Sequence, residues 1–216
     1  SEIGRLAVLD TQKQGDLYVH RAKLVSGRAP EVGEAVRVAV DAERRANIQR
    51  HHTATHLLHA ALRNVLGDHV HQAGSLVSPE RLRFDFTHFE AISWERLRDI
   101  ERLVNQYIRT DSVVETRILP IEEARAAGAM ALFDEKYESL VRVVKIDDIS
   151  MELCGGTHVS RTGVIGCFLI TSESAISAGV RRIEAVCGEP AIEYLQSREK
   201  ELVACARTLN SPVGEL

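Results

Sequence analysis

Between Arg50 and His59, four of the chain's nine histidines (His51, His52, His56 and His59) crowd into a segment whose apolar residues recur at helical spacing. Ile48, Leu58, Ala61, Leu62 and Val65 fall at three- and four-residue steps with His52, and Gly67 ends the run, so the pattern predicts a helix over about 43–66. Side chains four apart stack on one face of a helix. His52 and His56 are the histidine pair with that spacing, so their imidazoles can converge on one ion. His59 lies roughly on the same stripe, and His51 points elsewhere. By itself the pair also reads as two polar surface histidines.

A second pair stands about a hundred residues later, in Met151-Glu152-Leu153-Cys154-Gly155-Gly156-Thr157-His158. Two glycines preclude a stable helix there and let a loop fold tightly enough for Cys154 and His158 to face inward. A thiolate and an imidazole bind zinc at roughly 2.3 and 2.0 Å. The plainer reading is a Gly-Gly turn beside a buried thiol. Taken jointly, His52, His56, Cys154 and His158 offer three nitrogens and one sulfur, half on a helix and half on a loop. Zinc is the natural occupant of such a borderline-soft set. Zinc peptidases of the H-E-x-x-H type carry a glutamate after the first histidine, whereas here that position is Thr53, which argues against peptide cleavage.

The rest of the chain reads as α+β. Short strands are expected at 6–9, 17–19 and 36–40, the last alternating as Val36, Val38, Val40, with turns around Gly15, Gly27 and Gly33. They suggest a small N-terminal β-barrel over 1–42, one whose first apolar stretch starts abruptly at Ile3. An α+β domain with a mostly antiparallel sheet and two long helices is expected over 43–188. Its further elements are a hairpin over 70–77 and 82–86, and an amphipathic helix capped by Ser93 and bearing Leu97, Ile100, Val104 and Ile108. Strands at 113–119, 140–146, 164–171 and 180–186 complete it, with a short helix opened by Pro120. A C-terminal helix over 189–216 either packs on this domain or begins a longer helical region.

Composition narrows the function classes. With 44% hydrophobic residues the chain can build a core, and 27 basic against 31 acidic residues rule out nucleic-acid binding through bulk basicity. Aromatics at 5% leave little for stacking bases. No apolar run is long enough for a membrane span, and the first residues do not form a signal peptide. Four scattered cysteines without a C-x-x-C pair fit a reducing, cytoplasmic setting better than a disulfide framework.

His52-Thr53-Ala54-Thr55-His56-Leu57-Leu58 and Cys154-Gly155-Gly156-Thr157-His158 resemble the two signature motifs of the alanyl-tRNA synthetase editing domain. Gln72-Ala73-Gly74-Ser75-Leu76-Val77, Leu82-Arg83-Phe84-Asp85-Phe86 and Gly179-Val180-Arg181-Arg182-Ile183-Glu184-Ala185-Val186 are similar to the same family. The resemblance covers nearly the whole chain and implies an editing fragment with the preceding small barrel, lacking the aminoacylation domain. It implies hydrolysis of Ser-tRNA and Gly-tRNA specific for alanine, with that mischarged tRNA as partner. In a full-length enzyme the partners would also include the ATP-using aminoacylation domain and the C-terminal domains.

The physical need for such an activity is clear. A pocket for alanine cannot keep out the smaller glycine, and discriminates only modestly against serine's added hydroxyl. On the resemblance, His52, His56, Cys154 and His158 hold zinc, which anchors the substrate amino group or orients water. Thr55, Gln72 and Ser75 border the amino-acid pocket beside Cys154, and Gly155 and Gly156 offer backbone N–H groups to an oxyanion. Water activation is open to the metal, the backbone or the tRNA's own terminal hydroxyl. Arg181 and Arg182, then Arg161, are the candidate phosphate contacts, with Arg81 and Arg83 behind them. A free-standing trans-editing protein, a threonyl-type editing module and a non-catalytic RNA-binding zinc module are the competing readings.

Overall fold

The computed structural model of the protein describes residues 4–130 and 139–215. Ile3, counted with the first strand on sequence, lies outside them. The chain divides into two units, 1–40 and 41–216.

In the first unit, β1 (Arg5–Gln14) and β2 (Leu17–Ser26) pair as an antiparallel hairpin. Gly15 turns it with φ of 61°, a left-handed conformation that glycine adopts without a Cβ clash. Val8, Leu9, Leu17 and Tyr18 are all exposed on these strands. The barrel expected for this segment is corrected to a two-stranded ribbon: no closed barrel forms among the described residues, and 36–40 makes no ladder. Alternating valines favour an extended, half-buried surface, but they do not specify a partner strand.

The second unit is α+β and its strands pair antiparallel, as the sequence predicts. α1 (Ala42–Leu66) starts at Asp41, whose side chain accepts the Arg44 N–H at 2.9 Å, and stops at Gly67, with φ of 115°. β3 (Gln72–Val77), β4 (Leu82–Thr87), β8 (Phe168–Ser177) and β9 (Val180–Cys187) form one sheet in the order β3-β4-β9-β8. α2 (Trp94–Arg109) is capped by Ser93. β5 (Val114–Pro120), β6 (Leu140–Ile146) and β7 (Ser150–Leu153) form a second sheet in that order, with the short α3 (Ile121–Ala126) beside it. α4 (Glu189–Thr208) packs on β9 and buries Ala191 and Ala206.

Two elements differ from the sequence expectation. The stretch at 164–171 is a 3-10 turn, Thr162–Ile165, followed by a strand that begins only at Phe168, because Gly166 breaks the run with φ of 79°. β7 does not announce itself in the sequence. It is four residues long, and its polar residues Ser150 and Glu152 are buried along with Leu153, which breaks the alternation of an ordinary surface strand.

α1 is the centre of this unit. Between His51 and Leu62 only His52 and Ala60 are not fully buried, the condition of a helix covered on nearly every side. It packs against α2, against β3, β4 and β9 of the first sheet, and against β7 of the second. Ala54, Leu57, Leu58, Ala61 and Leu62 meet Phe84, Phe86, Ile100, Val104 and Ile183 in the main core. A smaller cluster of Ala124, Val141, Val143 and Leu153 lies under the second sheet. A helix touching both sheets brings residues near 52 within reach of residues near 154.

Candidate metal centre

The helical period places His52 and His56 one turn apart, with ring centroids 5.5 Å from each other. His158 closes against both, at 4.3 and 5.0 Å. Cys154 Sγ lies 3.4 Å from His52 Nε2 and 3.4 Å from His158 Nε2. The ligand atoms of His52, His56, Cys154 and His158 all lie within 4.8 Å of one another. Bonds of roughly 2.0 Å to nitrogen and 2.3 Å to sulfur at tetrahedral angles give S···N edges of about 3.5 Å, so the donor set fits a four-coordinate ion. His56 Nε2 supports that fit independently, because it is buried and has no hydrogen-bond partner.

The protonation states also suit a metal. Burial alone would raise Cys154, but the surrounding imidazoles of His158, His52 and His56 hold it at about 3, so the sulfur is a thiolate. Burial lowers His158 to about 4 despite its bond to Cys154, leaving it neutral. Burial opposes charge on His56 too, yet the Glu152 carboxylate and Cys154 outweigh it and raise the ring to about 10. The ring thus carries a positive charge, and a metal would bind at Nε2 by taking the place of the proton there.

Residues outside the ligand set orient it. Thr53 Oγ–H donates to the Gln49 carbonyl at 3.0 Å, which uses its one proton. Toward His158 Nδ1, at 3.2 Å, and the Val159 N–H, at 3.2 Å, the same oxygen must accept. That fixes His158 with its proton on Nδ1 and its Nε2 lone pair toward Cys154. Glu152 Oε2 accepts the His56 Nδ1–H at 2.5 Å and Oε1 accepts the His59 Nδ1–H at 2.9 Å. Arg142 Nη1 donates to the carbonyls of Cys154 and Gly156, both at 2.7 Å, and ties down the loop backbone. On sequence Glu152 and Arg142 had no role, Thr53 counted only as the missing peptidase glutamate, and His59 only as lying on the same stripe. Glu152 lies in β7 two residues before Cys154, a strand that the sequence did not reveal.

The two glycines separate in role. A Cβ on Gly156 would stand 1.9 Å from His52 Cε1, so the close approach of the imidazole requires glycine, while a Cβ on Gly155 meets nothing. The Gly156 N–H points at Cys154 Sγ, 3.5 Å away. His51 lies apart, as expected: its Nε2 accepts the Cys187 N–H at 3.1 Å and its Nδ1–H donates to the Asn47 carbonyl at 3.0 Å.

Thr55 is buried on α1 and its hydroxyl donates to the His51 carbonyl at 2.8 Å. Gln72 Nε2 donates to Ser75 Oγ at 3.1 Å. Ser75 pairs with Phe84 and Gln72 with Phe86, and cross-strand partners share a sheet face. Both therefore lie on the side of β3 that carries the core phenylalanines, and Phe84 in turn packs 5.3 Å from the His59 ring. The arginines singled out for RNA are each engaged by a carboxylate. Arg181 forks onto Glu173, Arg182 onto Asp85 at 2.7 and 2.8 Å, and Arg161 onto Asp111 at 2.7 Å. Arg81 pairs with Glu184 at 3.0 Å and Arg83 stands 3.7 Å from Asp85.

Comparison with known proteins agrees with this geometry. Residues 141–184, which include Cys154 and His158, match the family described as the threonyl and alanyl tRNA synthetase second additional domain. Over 97% of its length the chain is 56% identical to an alanine–tRNA ligase of Acidithiobacillus ferridurans, and over 98% it is 54% identical to one of Carboxydothermus hydrogenoformans. An alanine–tRNA ligase of Idiomarina loihiensis is 52% identical over 94% of the chain. The chain spans about a quarter of these relatives' length, 24%, 24% and 23% respectively. These matches bear out the resemblance to the editing-domain segment of alanyl-tRNA synthetases.

Proposed function

We propose that the chain hydrolyses alanine-specific tRNA mischarged with serine or glycine, releasing the amino acid and the tRNA. The observation that carries this reading is the convergence of His52, His56, Cys154 and His158 in a segment so similar to alanine–tRNA ligases. Zinc is the proposed ion, and when bound it supplies a Lewis acid beside the ester. The protein's own residues do the rest. Thr53 and Glu152 hold His158 and His56 by Nδ1, with their Nε2 atoms inward. Gln72 and Ser75, already bonded to each other, offer partners to a serine hydroxyl, and Thr55 sits on the ligand helix. Gly155 presents its backbone at the loop tip without steric obstruction. Arg181 and Arg182 would meet tRNA phosphates in competition with Glu173 and Asp85. We place this activity in the cytoplasm; no helix among the described residues is long and apolar enough to cross a membrane.

Serine's hydroxyl can pair where alanine's methyl cannot. One or two lost hydrogen bonds at roughly 1–1.5 kcal/mol each give about ten- to a hundredfold preference. Deacylation of Ser-, Gly- and Ala-charged alanine tRNA at saturating tRNA, with metal analysis of the same sample, tests the reading. Faster release of serine and glycine than of alanine is expected. Equal rates on Ser- and Ala-tRNA by the zinc-loaded chain would refute the selectivity.

A further inference from the structure

We propose that Glu152 and His59 form a positioning pair for the metal ligand His56, with Glu152 fixing the ring's tautomer and His59 holding Glu152 in place. The inference rests on the metal-binding reading above. Glu152 is 2% exposed, and its two oxygens divide between the two rings: Oε2 takes His56 Nδ1 at 2.5 Å and Oε1 takes His59 Nδ1 at 2.9 Å. A carboxylate accepts only, so each ring must donate from Nδ1. His56 Nε2 is then left facing the ligand cluster, where it has no other partner and where a metal would take the place of its proton.

His59 has a different place. Its ring is 2% exposed, packs 5.3 Å from Phe84, and its Nε2 is also buried without a partner. It is not among the residues whose ligand atoms converge. Its hydrogen bond to Glu152 is what connects it to the site. Ser150 Oγ adds a weaker bond to the same carboxylate oxygen at 3.3 Å, and Glu152 pairs with Val144 across the β6–β7 ladder. The carboxylate is thus held from its backbone and from one ring while it orients the other. A histidine ligand whose second nitrogen is bonded to a carboxylate is held in orientation and made more basic. Charge agrees: the Cys154 thiolate and the Glu152 carboxylate together balance one divalent cation. Neither Glu152 nor His59 would touch the ion; both would act through His56.

The test uses the 216-residue chain, with Zn(II) affinity read by competition against a chromophoric chelator and with the visible spectrum of the Co(II)-loaded protein. Glu152→Gln should bind zinc about 10- to 100-fold more weakly and shift the cobalt bands. His59→Leu, which removes the donor, should lose about tenfold, whereas His59→Asn, which keeps an N–H near the Nδ1 position, should stay near wild type. If Glu152→Gln does not fold by circular dichroism, the His59 pair decides alone. A wild-type chain that loads one ion, with Glu152→Gln and His59→Leu binding within twofold and with unchanged cobalt bands, would overturn the positioning pair alone. Equal losses in His59→Leu and His59→Asn would overturn the role of the donor. A wild-type chain that takes up no ion would overturn the metal reading and this inference together.

Discussion

The two halves of the ligand set reach the same point by different means. His52 and His56 are delivered by a helix that is buried on nearly every side, and their separation is fixed by the helical period. Cys154 and His158 sit on a loop with no period of its own. Arg142 holds its carbonyls, Thr53 holds His158, and the absence of a Cβ at Gly156 lets it close on His52. Local sequence builds the helical half, and the loop half is built by residues far away in the chain. Metal affinity should therefore be sensitive to changes around the loop and tolerant of changes to the helix ends.

The largest effect is expected from Cys154→Ala, which removes a ligand outright. Its zinc affinity should fall by more than the roughly 100-fold typical of losing an orienting partner, with the fold retained by circular dichroism. Stoichiometric zinc in the purified variant would show that the thiolate is dispensable. Gly156→Ala comes next. The new methyl must displace His52 or the loop, at about 1–3 kcal/mol, and zinc binding should weaken roughly ten- to a hundredfold. Undiminished binding there would break the idea that loop and helix are locked at this contact.

Thr53→Val sharpens the comparison, because the residue is on the helix but serves the loop. It leaves the His158 Nδ1–H and the Val159 N–H without an acceptor, for a loss of about 1–3 kcal/mol in thermal stability and about a tenfold loss in zinc affinity. Thr53→Ser should recover most of both, and a serine variant as weak as the valine one would point to the lost methyl rather than the hydroxyl. The smallest effect belongs to Asp41→Ala, which deletes the α1 cap. It should cost about 1 kcal/mol of stability in denaturant titration and leave zinc affinity within twofold. A large affinity loss would mean that the helical half is less self-sufficient than its burial implies.

The same division explains what could be read in the sequence. The helical pair His52 and His56, and the α1 and α2 helices, follow from periodicity and caps, which are local. The Cys154–His158 pair was legible as chemistry. Its supports were not, because Arg142, Thr53 and Glu152 matter only through contacts made across the fold. Thr53 stood out on sequence as the missing glutamate of a peptidase, while its positive role, accepting from His158, needed the structure. β7 was hidden because it is short and two of its three buried residues are polar. The N-terminal segment erred in the other direction: its alternating valines announced strands, but alternation alone cannot say whether a third strand finds a ladder to join.

One further consequence lies in the histidine run of α1. His51 bonds to Cys187 of β9, His52 and His56 join the cluster, and His59 bonds to Glu152 of β7. Each residue advances a helix by about 100°, so the three tasks are set by angle as much as by identity. A substitution in this run disturbs the task of one side chain, or two for His56, which joins the cluster and bonds to Glu152. A single inserted or deleted residue turns everything beyond it by about 100° relative to what precedes it, so the strand bond, the cluster and the carboxylate bond can no longer all be made together. The segment from His51 to His59 therefore has a fixed length, and chains built on this plan can vary here by exchanging residues but not by gaining or losing them.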